Sequence, residues 1–182
     1  MLNENAVKIA TKIIKNFEGC NLISYPDPAS PLYEALAAQG LVKRYMTGDL
    51  TFDELPDNFK ALSGKPFTVG YGATQGVTQY TVWTQAQADS ALEKHVREFM
   101  EGALKISPKL SSLAPHKIAA VTSLCYNIGL ANYKTSTVAR LIGDGDMHGA
   151  ARAFLLWNKA RGKILQGLVN RRKIEHDLFL GS

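Results

Sequence analysis

The chain has 182 residues, of which 46% are hydrophobic and 20% are charged, and its net charge is +5 at pH 7. These values are typical of one globular domain, and they exclude a disordered chain or a miniprotein that depends on disulfides. No segment is long and apolar enough to span a bilayer, and residues 1–19 alternate apolar side chains with lysines, so we expect neither a signal peptide nor a membrane anchor.

The N-terminal segment has the pattern of an amphipathic helix. Apolar residues recur at helical spacing over residues 6–18, opposite three lysines. Asn3 or Asn5 is suited to cap this helix, and Gly19 is suited to end it. A short strand is then expected around residues 22–25.

Residues 28–66 are rich in turn signals and predict a helical insertion. Ser30 and Pro31 should start a short helix that ends near Gly40. After the insertion, strand-forming residues alternate with glycines over residues 67–74, which predicts a strand that enters a tight turn.

From residue 84 onward the sequence is mostly helical, beginning with a possible capping box at Thr84 and Gln87. After the helix that begins at this capping box, further helices are expected over residues 115–129, 136–142, 146–158 and 167–179. Residues 115–129 are apolar nearly all round, so that helix should be the buried centre of its lobe. We therefore predict a single domain with an N-terminal helix (1–19), a small strand-containing lobe (20–80, with the insertion at about 28–66) and a helical lobe (81–182).

The positive charge is concentrated in the C-terminal quarter. Residues 134–182 hold nine Lys or Arg and four Asp or Glu, whereas residues 1–133 hold twelve of each. A basic face attracts polyanions, so anionic envelope polymers or lipid are candidate partners. The alternative is an ordinary solvated helix surface. We expect no nucleic-acid binding, because one short basic cluster comes without a recognised reading motif.

Neither cysteine pattern nor histidine pattern indicates a metal. Cys20 and Cys125 form no C-x-x-C pair, and we expect two buried free thiols in a reducing compartment, although one disulfide stays open. The four histidines lack metal-ligand spacing. Asp144 and Asp146 lack the other ligands of a calcium loop, so Asp146 is better explained as a helix cap.

Two carboxylates near the N-terminus are candidates for acid–base chemistry. Glu18 lies at a helix C-terminus beside apolar residues, and both features favour its protonated form, which suits a general acid. Asp27 lies between two prolines that fix much of the local backbone. Each residue alone is equally compatible with an ordinary helix end or turn.

The order of three motifs resembles the phage-type lysozymes of the T4/P22 endolysin family, glycoside hydrolase family 24. Glu18 is followed nine residues later by Asp27 and then by Thr68 within T-V-G-Y-G, the order of the family's catalytic trio. The Y-N-I-G ending of residues 118–129 and the segments over residues 136–179 are similar to later family motifs. The resemblance covers nearly the whole chain outside the insertion.

This resemblance implies a lysozyme-like α+β fold, mainly α, with a small β-containing lobe and a larger helical lobe. It implies a muramidase that hydrolyses the β-1,4 bond between N-acetylmuramic acid and N-acetylglucosamine in peptidoglycan. Glu18 would be the acid, and Asp27 and Thr68 would position water, by an inverting route with carboxyl groups about 6.5–9.5 Å apart. It further implies a monomer without cofactor or metal, released from the host cytoplasm to the cell wall through a holin-made lesion.

Three further residues inside the matching motifs are candidates for substrate binding, namely Tyr71, Asn127 and Arg171. Arg171 or Arg172 is also a candidate neighbour for Glu18. The alternatives are that both arginines are surface residues or that one pairs with Glu175 across a helix turn.

Two departures from the family pattern concern the small lobe. Forty residues, 28–67, separate Asp27 from Thr68, where compact members have about five by the same resemblance. Ala73 follows T-V-G-Y-G where some members have histidine. The remaining alternatives are a lytic transglycosylase, which needs an acid but no water-positioning Asp, and an added non-enzymatic, cationic envelope-disrupting activity.

Overall fold

The structure is a computed structural model that describes residues 1–160 and 162–181. The chain is mainly helical with short antiparallel strands, so the predicted α+β, mainly α class is confirmed. The elements in chain order are α1 (Glu4–Phe17), β1 (Asn21–Pro26), α2 (Pro31–Ala38), α3 (Val42–Thr47), α4 (Asp57–Lys60), β2 (Phe67–Gly70), α5 (Gln85–Ile106), a 3₁₀ helix (Pro108–Ser112), α6 (Pro115–Ile128), α7 (Leu130–Lys134), α8 (Thr137–Asp144), α9 (Met147–Phe154), β3 (Lys159–Ala160), β4 (Lys163–Ile164) and α10 (Gln166–Leu180).

The chain divides into two compact units. One combines residues 1–17 with the residues from 93 onward, and the other comprises residues 18–92. Helix α1 therefore belongs with the C-terminal helices, and it packs against α6. Within the part of the chain that the structure describes, no helix combines the length and apolar character needed to cross a membrane.

Helix α6 forms the centre of the larger unit, as its apolar sequence predicts. All residues from Ile118 to Cys125 are buried, and α6 packs against both α1 and α10. The surrounding core includes Tyr133, Phe154 and Phe179. Burial on nearly every side explains why α6 has no polar face.

The smaller unit has a hydrophobic core of its own, built largely by the insertion. The buried side chains of this core come from α2, α3, the loop before α4 and β2, and they are Leu32, Leu36, Tyr45, Leu55 and Phe67. Helix α2 starts as predicted, with the Ser30 hydroxyl accepting a hydrogen bond from the Tyr33 amide at 3.2 Å. The insertion is therefore a folded part of this unit and not a loose surface loop.

Several local predictions need correction. Helix α8 continues to Asp144, two residues past its predicted end at 142, and is ended by Gly145 in the left-handed region (φ 89°). Helix α9 ends at Phe154, four residues before the predicted end. Cys20 is exposed rather than buried, although both cysteines are free thiols. Cys20 lies between α1 and β1, where no buried helix face or strand face includes it.

Candidate active site

Glu18 lies in the short connection that joins a helix to a strand. Helix α1 begins where the Asn3 side chain accepts a hydrogen bond from the Ala6 amide at 3.1 Å, and it ends at Phe17. Glu18 follows directly and is half-buried. Because Gly19 and β1 come next, the carboxyl group stands at the helix C-terminus that the sequence predicts.

Asp27 is held by both its backbone and its side chain immediately after β1. Its amide donates to the Gly64 carbonyl at 3.0 Å, and its carboxylate oxygen Oδ1 accepts from the Ala29 amide at 2.7 Å. Its own carbonyl accepts from the Ser30 amide at 2.8 Å, which leads into α2. Three hydrogen bonds therefore fix where this half-buried residue stands.

Strand pairing brings Thr68 back beside β1, although forty residues separate it from Asp27 in the chain. Strands β1 and β2 are antiparallel, with Tyr25 opposite Thr68 and Pro26 opposite Phe67. Residues directly opposite each other share a face of an antiparallel pair, and residues two apart along a strand share it too. Thr68 is consequently a cross-strand partner of the residue two positions before Asp27.

The return of β2 depends on close packing at the end of the insertion. Phe67 is 4% exposed and belongs to the core of the smaller unit. Gly64 lies so close to it that an added Cβ would stand 2.6 Å from the Phe67 ring and 3.0 Å from Pro26. Gly64 therefore does two things: its carbonyl accepts a hydrogen bond from the Asp27 amide, and its small size lets Phe67, the residue before Thr68, pack closely.

Tyr25 is a neighbour of the proposed catalytic residues. The sequence predicted it only as part of a strand. Burial raises the pKa of Tyr25, and the Glu18 carboxylate, the Tyr33 phenol and the Asp27 carboxylate, in that order, raise it further. The signal in the sequence was the alternation that puts Tyr25 and Asp27 on one face.

Tyr71 sits in the tight turn after β2. The turn closes through an isolated bridge between Val69 and Ala73, as the glycine spacing predicts. The Tyr71 hydroxyl donates to Asp89 Oδ1 at 3.2 Å and accepts from Gln85 Nε2 at 3.1 Å. Its role in substrate binding stays a prediction.

The other two substrate-binding candidates have contrasting environments within the larger unit. Asn127 is exposed near the C-terminal end of α6. Arg171 is only 3% exposed, and its Nε donates to Glu175 Oε1 at 3.1 Å. Its guanidinium also lies 5.3 Å from the centre of the Phe17 ring. Contact of either residue with substrate stays a prediction.

The two arginines of the short basic cluster at residues 170–173 do not lie on the solvated surface that the sequence allowed. Arg171 and Arg172 are both buried, and Arg172 Nη2 donates to Glu175 Oε1 at 3.0 Å. The pairing with Glu175 across a helix turn is therefore confirmed, and the position of either arginine as a neighbour of Glu18 stays a prediction. Among the residues described on either side of position 161, no three His, Cys, Asp or Glu side chains gather into a possible metal-binding group.

Comparison with known proteins supplies the family. The model of the phage lysozyme family matches residues 55–175 of this chain. That range includes Thr68, whereas Glu18 and Asp27 precede it. The family match therefore bears on two thirds of the chain, and the roles of the two carboxylates stay predictions.

Individual relatives and a solved structure agree with this match. An endolysin of Bacillus phage B103 is 36% identical over 117 residues, which cover 64% of this chain and 44% of that protein. A SAR-endolysin of bacteriophage PS119 is 32% identical over 133 residues, covering 68% and 78%. The endolysin of Escherichia coli O157:H7 phage FAHEc1 superposes with a TM-score of 0.66 at 25% identity, covering 95% of this chain and 91% of that one. The chain spans about half the length of the Bacillus phage relative.

Proposed function

Because the chain belongs to the phage lysozyme family, we propose that it is an endolysin muramidase. It hydrolyses the β-1,4 bond between N-acetylmuramic acid and N-acetylglucosamine in bacterial peptidoglycan. The relatives are endolysins by name, and this agrees with a role in lysis of the host cell. The proposed domain is the whole chain, with both units contributing to one lysozyme-like enzyme.

The observation that carries the proposal is the register of β1 and β2. It puts Thr68 opposite Tyr25. The carboxylates of Glu18 and Asp27 both contribute to the raised pKa of Tyr25. The three groups that the proposed mechanism uses, namely an acid, a carboxylate and a hydroxyl, are thereby associated with one strand pair.

In the proposed mechanism Glu18 protonates the glycosidic oxygen as the bond breaks. Asp27 and Thr68 orient a water molecule that attacks the anomeric carbon, and the Asp27 carboxylate stabilises the oxocarbenium-like charge. The fixed position of Asp27, with three hydrogen bonds around it, suits a group that must hold water rather than move. We propose the inverting outcome, which the anomeric configuration of the first-formed product tests.

The replacement Glu18→Gln tests the acid. General acid catalysis contributes about 10²–10⁴-fold to a rate, so clearing of purified peptidoglycan should fall by at least about a hundredfold. Glu34→Gln is the matched control, because Glu34 is an exposed carboxylate on α2 of the same unit. Thermal unfolding of both variants should match that of the wild type. Full activity in Glu18→Gln would refute the assignment.

Product analysis separates hydrolysis from lytic transglycosylation. A muramidase leaves reducing ends on the glycan fragments, whereas a transglycosylase leaves anhydro-muramoyl ends. We expect reducing ends, because a transglycosylase needs no residue in the place of Asp27. Fragments with anhydro ends would contradict the proposed role of Asp27 and Thr68.

A second, non-enzymatic activity is favoured by one surface of the C-terminal quarter. Leu156 and Ile164 are 71% and 63% exposed, and the neighbouring chain carries exposed Lys159 and Lys163. Apolar side chains beside cations suit an anionic lipid surface. Arg161, another basic residue of this quarter, lies outside the described residues.

Addition of Glu18→Gln protein to intact cells tests that second activity. Entry of a membrane-impermeant dye would support it, and the double replacement of Lys159 and Lys163 by glutamine should then reduce dye entry. Cells that stay impermeable to the dye would contradict it. The route by which the protein reaches the cell wall, through a holin-made lesion, stays a prediction.

A further inference from the structure

The smaller unit contains a cavity that none of the proposed catalytic residues lines. Its volume is about 400 Å³, within the range of about 300–1,000 Å³ that small-molecule sites occupy. The walls come from Ile23 of β1, from the segment 45–53 that begins in α3, and from residues 79–82. Most of the wall is therefore formed where the insertion meets the loop before α5.

A buried hydroxyl in this wall lacks a partner. Tyr45 lines the cavity and is 3% exposed, and its hydroxyl makes no hydrogen bond with any residue that the structure describes. Burial, and then the nearby Tyr80, raise the pKa of Tyr45 to about 12. The hydroxyl is thus neutral at neutral pH and can both donate and accept. Buried polar groups are nearly always hydrogen-bonded, so the hydroxyl of this cavity-lining residue is a candidate to bond a ligand there.

An aromatic wall is fixed next to it. The Tyr80 ring stands edge-on to Phe52, with ring centres 5.8 Å apart and an interplanar angle of 83°. The Tyr80 hydroxyl donates to Asp53 Oδ1 at 3.0 Å. Tyr80 is nevertheless 59% exposed. A large ring that is held at both ends but open to solvent is preorganised for stacking.

The charges of the wall select the class of ligand. Asp53 is the charged side chain among the lining residues, and none of those residues is Lys, Arg or His. A phosphate or another anion would find no cation there, so anionic ligands are disfavoured. Thr51 and Gln79 add polar groups, while Ile23 and Val82 add apolar surface. A neutral ligand with one apolar face and a rim of hydroxyl groups fits this combination, and a sugar ring has that character.

We propose that this cavity binds one N-acetylhexosamine ring of a glycan strand, with the ring stacked on Tyr80 and a polar group bonded to Tyr45. The choice of an N-acetylated sugar rests on the proposed function, since peptidoglycan glycan consists of such sugars. The site would hold the strand at a point separate from Glu18, Asp27 and Thr68. The insertion would then serve to retain the polymer between cleavage events.

Nuclear magnetic resonance titration tests the site directly. A trimer of N-acetylglucosamine is added to the Glu18→Gln protein, and the ring protons of Tyr45, Phe52 and Tyr80 are followed. We expect saturable shifts of these protons at millimolar trimer. A glucose trimer, which lacks acetamido groups, should bind at least about fivefold more weakly, by the loss of about one hydrogen bond.

Two replacements within the cavity should weaken that binding. Tyr45→Phe removes the unpartnered hydroxyl and should reduce affinity about threefold to tenfold. Tyr80→Ala removes the stacking ring and should reduce it by about tenfold or more. Tyr45→Phe should leave the melting temperature unchanged or raised, because a hydroxyl without a partner gives the folded state nothing.

Tyr133→Phe is the matched control for a buried tyrosine. The Tyr133 hydroxyl is hydrogen-bonded to Ser107 at 2.8 Å, so its removal should lower the melting temperature while sugar affinity stays unchanged. Opposite responses of stability and affinity in the two Tyr→Phe variants would separate a binding role from a structural one.

The inference and the proposed function fail by different results. Absence of shifts at these three rings, equal affinity for the glucose trimer, or a preference for choline over the sugar would overturn the inference while clearing of peptidoglycan continued. Choline is included because an aromatic wall beside a carboxylate also suits a quaternary ammonium group. A fully active Glu18→Gln protein would overturn the proposed acid and leave the titration result standing.

Discussion

At the scale of single residues, Glu175 is a charged side chain buried in the larger unit between two arginines. Its side chain is fully buried, and its Oε1 accepts hydrogen bonds from Arg171, Arg172 and the Ser123 hydroxyl, the last at 2.6 Å. Two cations thus share one anion inside the larger unit. A carboxylate in this position is needed because buried guanidinium groups without a counter-charge are very unfavourable.

We predict that Glu175→Gln destabilises the protein by about 3–5 kcal/mol, the usual effect of removing one partner from a buried ion pair. Urea unfolding at pH 7 gives the measurement. Glu93→Gln is the control, because Glu93 also pairs with an arginine, Arg97, at 2.8 Å but on the exposed surface of α5. Its unfolding midpoint should scarcely move. Equal effects of the two replacements would contradict the importance of burial.

The two cysteines should differ sharply in reactivity. Cys125 is buried in the core of the larger unit, and burial raises the pKa of its thiol, whereas Cys20 is exposed. Thiolates are the reactive form. We expect a thiol reagent to modify one cysteine per native molecule at pH 7.5 and two in denaturant. The variant Cys20→Ser should react only after unfolding, and rapid labelling of that native variant would refute the prediction.

At the scale of elements, the local signals of the sequence performed well where a cap or a period defined the segment. The cap of α2 at Ser30, the capping box of Thr84 and Gln87 before α5, and the cap of α9 at Asp146 are all confirmed. Helices α3 and α7 were missed. Neither begins with a side-chain cap, and both are too short to show a helical period.

Gly64 connects the end of the insertion to both strands, because it packs against Phe67 of β2 and Pro26 of β1. Gly64→Ala would push against the Phe67 ring and Pro26, so we expect a loss of about 1–3 kcal/mol of stability. Peptidoglycan clearing should fall as well, since Thr68 follows Phe67. Urea unfolding and a clearing assay measure the two effects.

Gly143→Ala is the control for that replacement. Gly143 lies in α8, and apart from its chain neighbours and the backbone of that helix no described heavy atom lies within 4 Å of an added Cβ. Alanine there should gain up to about 1 kcal/mol from helix propensity and leave activity unchanged. A Gly64→Ala protein as stable and active as the wild type would show that the packing at Gly64 does not position β2.

At the scale of the whole molecule, buried tyrosines should limit stability at alkaline pH. Burial raises the pKa of Tyr45 to about 12 and also raises the pKa values of Tyr25 and Tyr133. In the unfolded chain tyrosine ionises near pH 10, so ionisation favours the unfolded state above that pH. The contribution is complete below pH 10 and is lost as the pH rises toward 12.

We therefore predict that the free energy of unfolding falls between pH 10 and pH 12, with about 2–3 kcal/mol of the fall due to Tyr45. Urea unfolding at pH 9, 10, 11 and 12 measures it, and absorbance at 295 nm follows tyrosine ionisation. Tyr45→Phe should show a shallower fall. A stability that stayed constant over this range would contradict the prediction.

The sequence by itself determined the helical class, most helix ends and the order of Glu18, Asp27 and Thr68 that indicates the phage lysozyme family. These features depend on caps, periods and motif spacing, which act over a few residues or are read directly from the chain. It also predicted that residues 28–66 form an addition to the small lobe.

Only the tertiary structure decided what depends on residues far apart in the chain. It set Thr68 opposite Tyr25, brought the Ser123 hydroxyl of α6 against the buried Glu175 carboxylate of α10, and left the hydroxyl of cavity-lining Tyr45 without a hydrogen-bond partner among the described residues. Each outcome is set by packing between segments that no local pattern relates. Side-chain burial is the physical reason, because it is a property of the folded neighbours and not of the residue alone.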